Sequence, residues 1–337
     1  MKDTRLESPN FNGKIFLNPV PTVVTRQGAF LKILRENFFD KNKHLREPPV
    51  CPGPFTPDLA KLNNLPPGTV RVTWIGHSTL ILEIDSKRFL TDPVWAERVS
   101  PFNFIGPKRF FPAPIEIEEL PHLDGIILSH DHYDHFDEEA LKQLNKKNIP
   151  FFCPLGVGKR LEKLGVNTTH ISEADWWDEI KLNEDFKLVA TPARHFSGRW
   201  ISDRFKTLWA SWVIIGPEHK IYYGGDSGMF PGFKDIGDKY GPFDLTALEI
   251  GAANEDWEDI HMGPFKAADA HLMLKGKLML PIHWGTFNLA HHAWEAPVED
   301  LIPYAAEKNI QLLIPEPGQT IPAEGAFNSE WWKNCVL

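Results

Sequence analysis

Ser129-His130-Asp131-His132-Tyr133-Asp134-His135 places three imidazoles and two carboxylates within six residues, directly behind the apolar run Gly125–Ser129. That run has the length and composition of a short buried strand. Ionisable groups gathered at the end of a buried strand are costly to desolvate unless a positive charge sits among them. On an extended turn His130 and His132 point to the same side, while Asp134 and His135 reach a neighbouring position, so one loop can feed two adjacent cations. Imidazole and carboxylate without cysteine suit Zn²⁺ and tolerate Mn or Fe. A polar surface loop that happens to be rich in histidine is the plainer alternative, and the spacing behind a buried strand argues against it.

One loop cannot close two metal positions, so further ligands must come from later in the chain. Three candidates share a setting, an ionisable residue at or just past the end of an apolar strand, which is where α/β sheets collect ligands. They are His195 after Phe186–Thr191, Asp226 after Tyr222-Tyr223-Gly224-Gly225, and His283 after Leu278–Ile282. Gly224-Gly225 would let the backbone pass close to the cations. Taken singly, each also fits a capping or surface residue.

Outward from this loop the chain alternates strand and helix. Val70–Trp74, Thr79–Ile84 and Arg88–Thr91 read as a strand meander. Asp137 can cap a helix running through Leu144, and a second helix over Val157–Leu164 stops at Gly165. Strands fit Phe151–Cys153, Phe186–Thr191, Leu208–Ile215, Lys220–Tyr223, Leu245–Ile250, Lys277–Ile282 and Ile310–Ile314. Pro264 and Pro297 suit the first turns of helices ending near Leu274 and Lys308. Strands separated by helices, with no repeat, predict one α/β domain over residues 69–337. Residues 1–68, punctuated by Pro48-Pro49, Pro52, Pro54, Pro57 and Pro66-Pro67, predict an extended arm packed on it, with one helix around Phe30–Phe38.

The order His-x-His-x-Asp-His, lone His, Gly-Asp, late His resembles the metallo-β-lactamase superfamily. The resemblance implies an αββα sandwich with a dinuclear zinc site at one edge. His130, His132 and His195 would hold one metal, Asp134, His135 and His283 the other, and Asp226 would bridge them. Further segments, among them Trp74-Ile75-Gly76-His77-Ser78-Thr79, Leu90-Thr91-Asp92-Pro93, Leu208-Trp209-Ala210-Ser211-Trp212 and Ile282-His283-Trp284-Gly285-Thr286-Phe287, are similar to N-acylphosphatidylethanolamine-hydrolysing phospholipases D. These segments run from about Arg71 to Phe287. They imply a phosphodiesterase acting on an N-acylphosphatidylethanolamine-like lipid through a water shared by two metals, with Asp134 and Asp226 orienting it. His261, in Asp259-Ile260-His261-Met262-Gly263, corresponds to a histidine that contacts substrate, although Ile260 and the first 70 residues depart from the phospholipase pattern. A lactonase or other ester or amide hydrolase with the same site is the second reading, and a catalytically silent metal-binding module the third. Asp92 could hydrogen-bond a ligand histidine or simply make a turn, and His77 reads as structural. Lys108-Arg109 could meet an anionic head group or form a solvated face, and His291-His292 reads as solvated.

Composition narrows the partners. The 337 residues are 42% hydrophobic and 24% charged, with a formal charge of −9 and no basic run, which argues against a nucleic-acid substrate. No stretch reaches the roughly 18 apolar residues needed to span a bilayer. The N-terminus lacks the apolar region of a secretory signal, and Cys51, Cys153 and Cys335 are too few and too scattered for a disulfide framework. The expectation is a cytoplasmic protein, compatible with peripheral contact at a membrane.

Overall fold

The computed structural model describes residues 4–26, 41–102 and 104–335, so the helix expected around Phe30–Phe38 lies outside the described residues. The arm carries a short helix, α1 (Leu59–Asn63), whose N-cap Asp58 accepts a bond from Lys61 N. From Val70 the chain folds into the antiparallel meander β1 (Val70–Gly76), β2 (Thr79–Ile84) and β3 (Lys87–Thr91). Parallel strands β4 (Gly125–Ile127), β5 (Phe151–Pro154) and β6 (Ile171–Ala174) then add beside β3. Helices α2 (Glu138–Asn145) and α3 (Gly158–Lys163) make the crossovers. The Asp137 carboxylate caps α2 through Glu139 N and Ala140 N, and Gly165 follows α3 at φ 89°, as the sequence predicts.

The second sheet starts antiparallel, with β7 (Glu179–Lys181), β8 (Lys187–Thr191), β9 (Ser211–Ile215) and β10 (Lys220–Tyr223). It continues in parallel through β11 (Phe243–Glu249), β12 (Gly276–Ile282) and β13 (Gln311–Ile314), joined by α4 (Gly232–Tyr240), α5 (Gly263–Met273) and α6 (Ala296–Glu307). Finally β14 (Thr320–Pro322) returns to pair with β1, and β15 (Phe327–Asn328) pairs with β13. Among the described residues the result is a sheet of seven strands facing a sheet of eight, with helices outside, the αββα sandwich the resemblance implied. Strands β6, β7, β14 and β15 and helices α1 and α4 are additional to the sequence reading, and Leu208–Ala210 precedes β9 instead of pairing within it.

The period-two alternation of side chains explains why the first sheet can be buried on both faces. Trp74, Leu80, Leu82, Phe89 and Ile127 enter the core between the sheets, whereas Ile75, Ile81, Leu90, Ile126 and Leu128 enter a second core beneath α2 and α3. Each such aliphatic or aromatic side chain contributes about 1.5–3 kcal/mol by leaving water. That burial holds the strand ends still. Strands β8, β10, β11 and β12 run in the same sense, so their C-terminal ends share one edge of their sheet. The loops after β3 and β4 meet that edge from the facing sheet, with Ala210 N donating to Ser129 O at 2.9 Å.

Candidate metal centre

The loop after β4 brings His130, His132 and Asp134-His135 together as its spacing predicts. His130 Nε2 lies 2.8 Å from His132 Nδ1, and His195 Nε2, from the loop after β8, lies 3.3 Å from that same atom. Three ring nitrogens thus converge on one point. Asp226, delivered by the turn after β10, sits between this trio and the other ligand candidates. Its carboxylate oxygens lie 3.2 Å from His135 Nε2, 3.3 Å from His283 Nε2, 3.7 Å from His195 Nε2 and 3.9 Å from His130 Nε2. Asp134 Oδ2 approaches His283 Nε2 at 3.4 Å and His135 Nε2 at 3.6 Å. Gly225, at φ 57°, is required here, because a Cβ would come 2.6 Å from Ser129 Cβ at the head of the histidine loop.

These groups are close without satisfying one another. His132 Nε2, His135 Nε2, both nitrogens of His283 and Asp226 Oδ1 are buried and lack a hydrogen-bond partner. Of these, His135 Nε2 lies 3.2 Å from Asp226 Oδ1 and His283 Nε2 lies 3.3 Å from the other oxygen of that carboxylate, so unpartnered buried atoms gather around Asp226 as a cation site requires, and the donor set is the imidazole–carboxylate mixture that suits zinc. His130, His132 and His195 form one group that could hold an ion, and Asp134, His135 and His283, joined by His77, form another.

Electrostatics divides the two groups. Burial depresses His130 and His195 well below the usual imidazole range and takes His132 to about 4, so all three are neutral, the form that binds a cation. Burial opposes charge on His135 and His283 as well. There the Asp226 carboxylate, helped by Asp134, overrides it, raising His135 strongly and His283 to about 10. Burial pushes Asp226 and Asp134 up, and the neighbouring imidazoles, His135 foremost, outweigh it and hold both carboxylates well below their ordinary value. A divalent cation at the second position would take over the charge of the protons on His135 and His283.

Several residues hold this arrangement from outside. Asp92, just after β3, accepts from His135 Nδ1 at 2.7 Å, from Ser129 N at 2.7 Å and from the Tyr223 hydroxyl at 2.5 Å, and also from Ser129 Oγ. Of the two readings the sequence left open for Asp92, the contact with a ligand candidate is the one realised. Asp131 faces away from the centre and accepts from Arg160 Nε at 2.5 Å, Gly198 N at 2.7 Å and Thr207 Oγ1 at 2.9 Å. Asn18 of the arm clamps His195, accepting from its N–H at 3.0 Å and donating to its carbonyl at 2.7 Å.

His77, read from sequence as structural, enters the site. Its Nε2 donates to Asp134 Oδ2 at 3.0 Å, and its ring centroid lies 3.9 Å from that of His283. His77, Asp92 and His283 all have positive φ, at 54°, 32° and 63°, a backbone state that costs of order 1–3 kcal/mol per non-glycine residue and clusters at functional sites.

A cleft of about 330 Å³ opens onto His132, Asp134, Asp226, His261 and His283. Val24, Phe196, Ala252, Trp257, Ile260 and Leu289 form its apolar walls, and among the described residues no Lys or Arg lines it. Lys108 instead pairs with the exposed Glu97, and Arg109 is buried with its guanidinium on the carbonyls of Ile75, Val94 and Phe111, so neither side chain reaches this cleft. Of the tryptophans, Trp209, Trp212 and Trp284 belong to the core, Trp257 lines the cleft and Trp200 is exposed. His292, expected in solvent, is half-buried and donates from Nδ1 to Ala293 O at 2.8 Å.

His261 precedes α5, as expected, and its ring lies 5.1 Å from His195 and 5.4 Å from His283. Glu249, the last residue of β11, accepts from His261 Nδ1 at 2.6 Å. Burial raises the Glu249 pKa, with His261 pulling the other way. The sequence reading passed over Glu249, although a carboxylate near the end of an apolar strand is the signal that singled out Asp226.

Over residues 87–284, more than half of its length, the chain matches the family described as the beta-lactamase superfamily domain. An uncharacterized protein of Mycobacterium tuberculosis is 41% identical over 334 residues, covering 97% of this chain and 88% of that protein. N-acyl-phosphatidylethanolamine-hydrolyzing phospholipase D 1 of Caenorhabditis elegans is 38% identical over 228 residues, which cover 64% of each chain. A metallo hydrolase from the archaeon Ignicoccus hospitalis superposes with a TM-score of 0.59 at 23% identity, covering 75% of this chain and 98% of that one, a likeness of fold.

Proposed function

Because this chain belongs to the β-lactamase superfamily and is a metal-dependent hydrolase of that fold, we propose that it is a zinc phosphodiesterase of the phospholipase D type, acting on N-acylphosphatidylethanolamine-like lipids. The observation that carries this reading is the cleft, in which apolar walls lead to a buried histidine–aspartate cluster and, among the described residues, no cationic side chain lines the way. A substrate entering there needs an apolar body, and its anionic centre must find its positive charge at the cluster. When bound, two zinc ions would supply that charge, acidify a water molecule and stabilise the phosphoryl oxygens. His130, His132 and His195 would hold one ion, Asp134, His135 and His283 the other, and Asp226 would touch both. Asp134 and Asp226 would also accept a hydrogen bond from the remaining O–H of the attacking water, aiming its lone pair at phosphorus. His261 Nε2 donates to a phosphoryl oxygen as charge builds there.

Peripheral contact with a lipid surface accords with the exposed Phe102, Phe104, Ile105, Trp200 and Ile201. Phe102 and Trp200 pack edge to face, and the neighbouring Arg199 stacks on Tyr133 of the histidine loop. No described helix is long and apolar enough to cross a membrane.

Phosphodiesters, lactones and β-lactams presented to the zinc-loaded protein separate the readings. The expected result is a higher kcat/KM for phosphodiesters than for lactones. Lactone hydrolysis without phosphodiester cleavage would reassign the protein as a lactonase, and zinc binding without hydrolysis of any of them would leave a metal-binding module. His261→Ala should keep both metals and lower kcat about 10²-fold, the size of one lost electrostatic or acid–base contact. Full activity with a reduced Tm in that variant would make His261 a structural cap.

A further inference from the structure

Val24 and Thr25, from the arm that precedes the sandwich, line the same cleft as the metal-ligand candidates. Val23 and Arg26 line a separate hollow of about 130 Å³, together with Asp256, Glu258 and Asp259. The arm is therefore a partition between the two spaces. Residues 21–26 belong to no helix or strand, so no ladder of hydrogen bonds offsets the backbone entropy lost in ordering them. Side chains from the site hold them instead. Arg194, the residue before His195, donates from Nε to Thr22 Oγ1 at 3.0 Å, from Nη2 to Pro21 O at 2.8 Å and from Nη1 to Met229 O at 3.2 Å. Asp259, two residues before His261, pairs with Arg194 Nη2 at 2.7 Å and accepts from Val23 N at 2.9 Å. Both side chains are partly buried, where such a charge-assisted contact holds better than an exposed ion pair. The loops that deliver His195 and His261 thereby grip one stretch of the arm between them.

We propose that this stretch is a specificity-determining wall: Val24 sets how long an apolar chain the cleft accepts, and Arg194 and Asp259 are positioning residues that hold the wall in place. The inference rests on the reading above that the substrate carries an apolar body into this cleft, and it does not depend on the reaction that follows. Val24 is half-buried and apolar, whereas Thr25 is exposed and polar, so Val24 is the arm residue that meets a chain. With Phe196, Trp257 and Leu289 it completes an apolar lining. A chain enclosed on all sides leaves water entirely, while one lying in an open trough leaves it on one side only. The seating of the arm consequently decides the gain per methylene, and the bulk of Val24 decides how many methylenes gain.

The test is a calorimetric titration of the full zinc-loaded chain with methyl-, butyl- and octylphosphonate, which share one anionic end and differ in chain length. In the unaltered protein affinity should rise about fourfold for each methylene that enters the cleft. Val24→Trp should end that rise at a shorter chain and lower the octyl-to-butyl affinity ratio about tenfold, the size of nearly two excluded methylenes. If that variant folds poorly, Val24→Ser, smaller and polar, should lower the same ratio. Asp259→Ala, which removes the partner of Val23 N and of Arg194, should reduce the step to about twofold per methylene, the value for a chain buried on one side. All three variants should keep their zinc, since neither residue belongs to the ligand set. An unchanged octyl-to-butyl ratio in both Val24 variants would overturn the wall. A lower Tm with an unchanged step in Asp259→Ala would overturn the clasp and make it a strap that serves the fold alone. No gain from methyl to octyl in the unaltered protein would overturn this proposal together with the lipid reading, whereas a gain that every variant retains would overturn this proposal and leave that reading standing.

Discussion

Asp226→Asn is expected to remove about one equivalent of zinc and to lower kcat on the order of 10³-fold, beyond the 10–100-fold typical of an outer partner. The geometry gives the reason. Its two oxygens lie within 3.2–3.9 Å of ring nitrogens from both halves of the site, His135 and His283 on one side, His130 and His195 on the other. No other carboxylate among the described residues approaches all four. The substitution preserves shape and removes the negative charge shared by two positions, so the half already bearing Asp134 should keep its ion better. Elemental analysis and kcat on one preparation check this, and near-normal turnover with two ions retained would place the bridge on another residue.

Withdrawing both metals should lower the melting temperature by roughly 8–12 °C, restored by adding zinc. A ligand present at 100–1,000 times its Kd stabilises by about 2.7–4.1 kcal/mol per site, and a chain of this length has an unfolding entropy of about 0.7 kcal/mol/K. The fold itself persists, because the two cores are built from strands that do not depend on the ions. Zinc affinity should also fall with pH. His135 and His283 are held protonated by Asp226 and Asp134, and each must release its proton to bind a cation, so acid opposes binding and base favours it. Calorimetric scans with chelator and with zinc, at two pH values, test both statements. A melting temperature indifferent to chelator would contradict them.

The sequence announced the parts of the site whose signal is local. His130, His132, Asp134 and His135 are near neighbours in one loop, and Asp226 and His283 stand out because each breaks an apolar strand at its end. The helices with clear start signals, α2 behind its cap Asp137 and α5 with Pro264 in its first turn, were legible for the same reason. Helix α4 was not, because Gly232 and Gly237 read as breakers. Gly237 is there for packing, since a Cβ would come 2.2 Å from Met273 O of α5, a constraint set 36 residues away. Glu249 was absorbed into an apolar run, and its meaning depends on His261, twelve residues on. His77 carries no ligand spacing and acquires its place through Asp134, 57 residues on. Asn18 is more distant still, 177 residues from the His195 backbone it clamps. Contacts of that kind are made by the sheet topology, which no local pattern encodes.

The central claim is a two-metal site built on seven residues, His130, His132, Asp134, His135, His195, Asp226 and His283. It is tested most directly by counting zinc per chain in protein reconstituted with excess zinc and freed of loosely bound ions. About two equivalents are expected. One equivalent or none, even after reconstitution, would contradict the account.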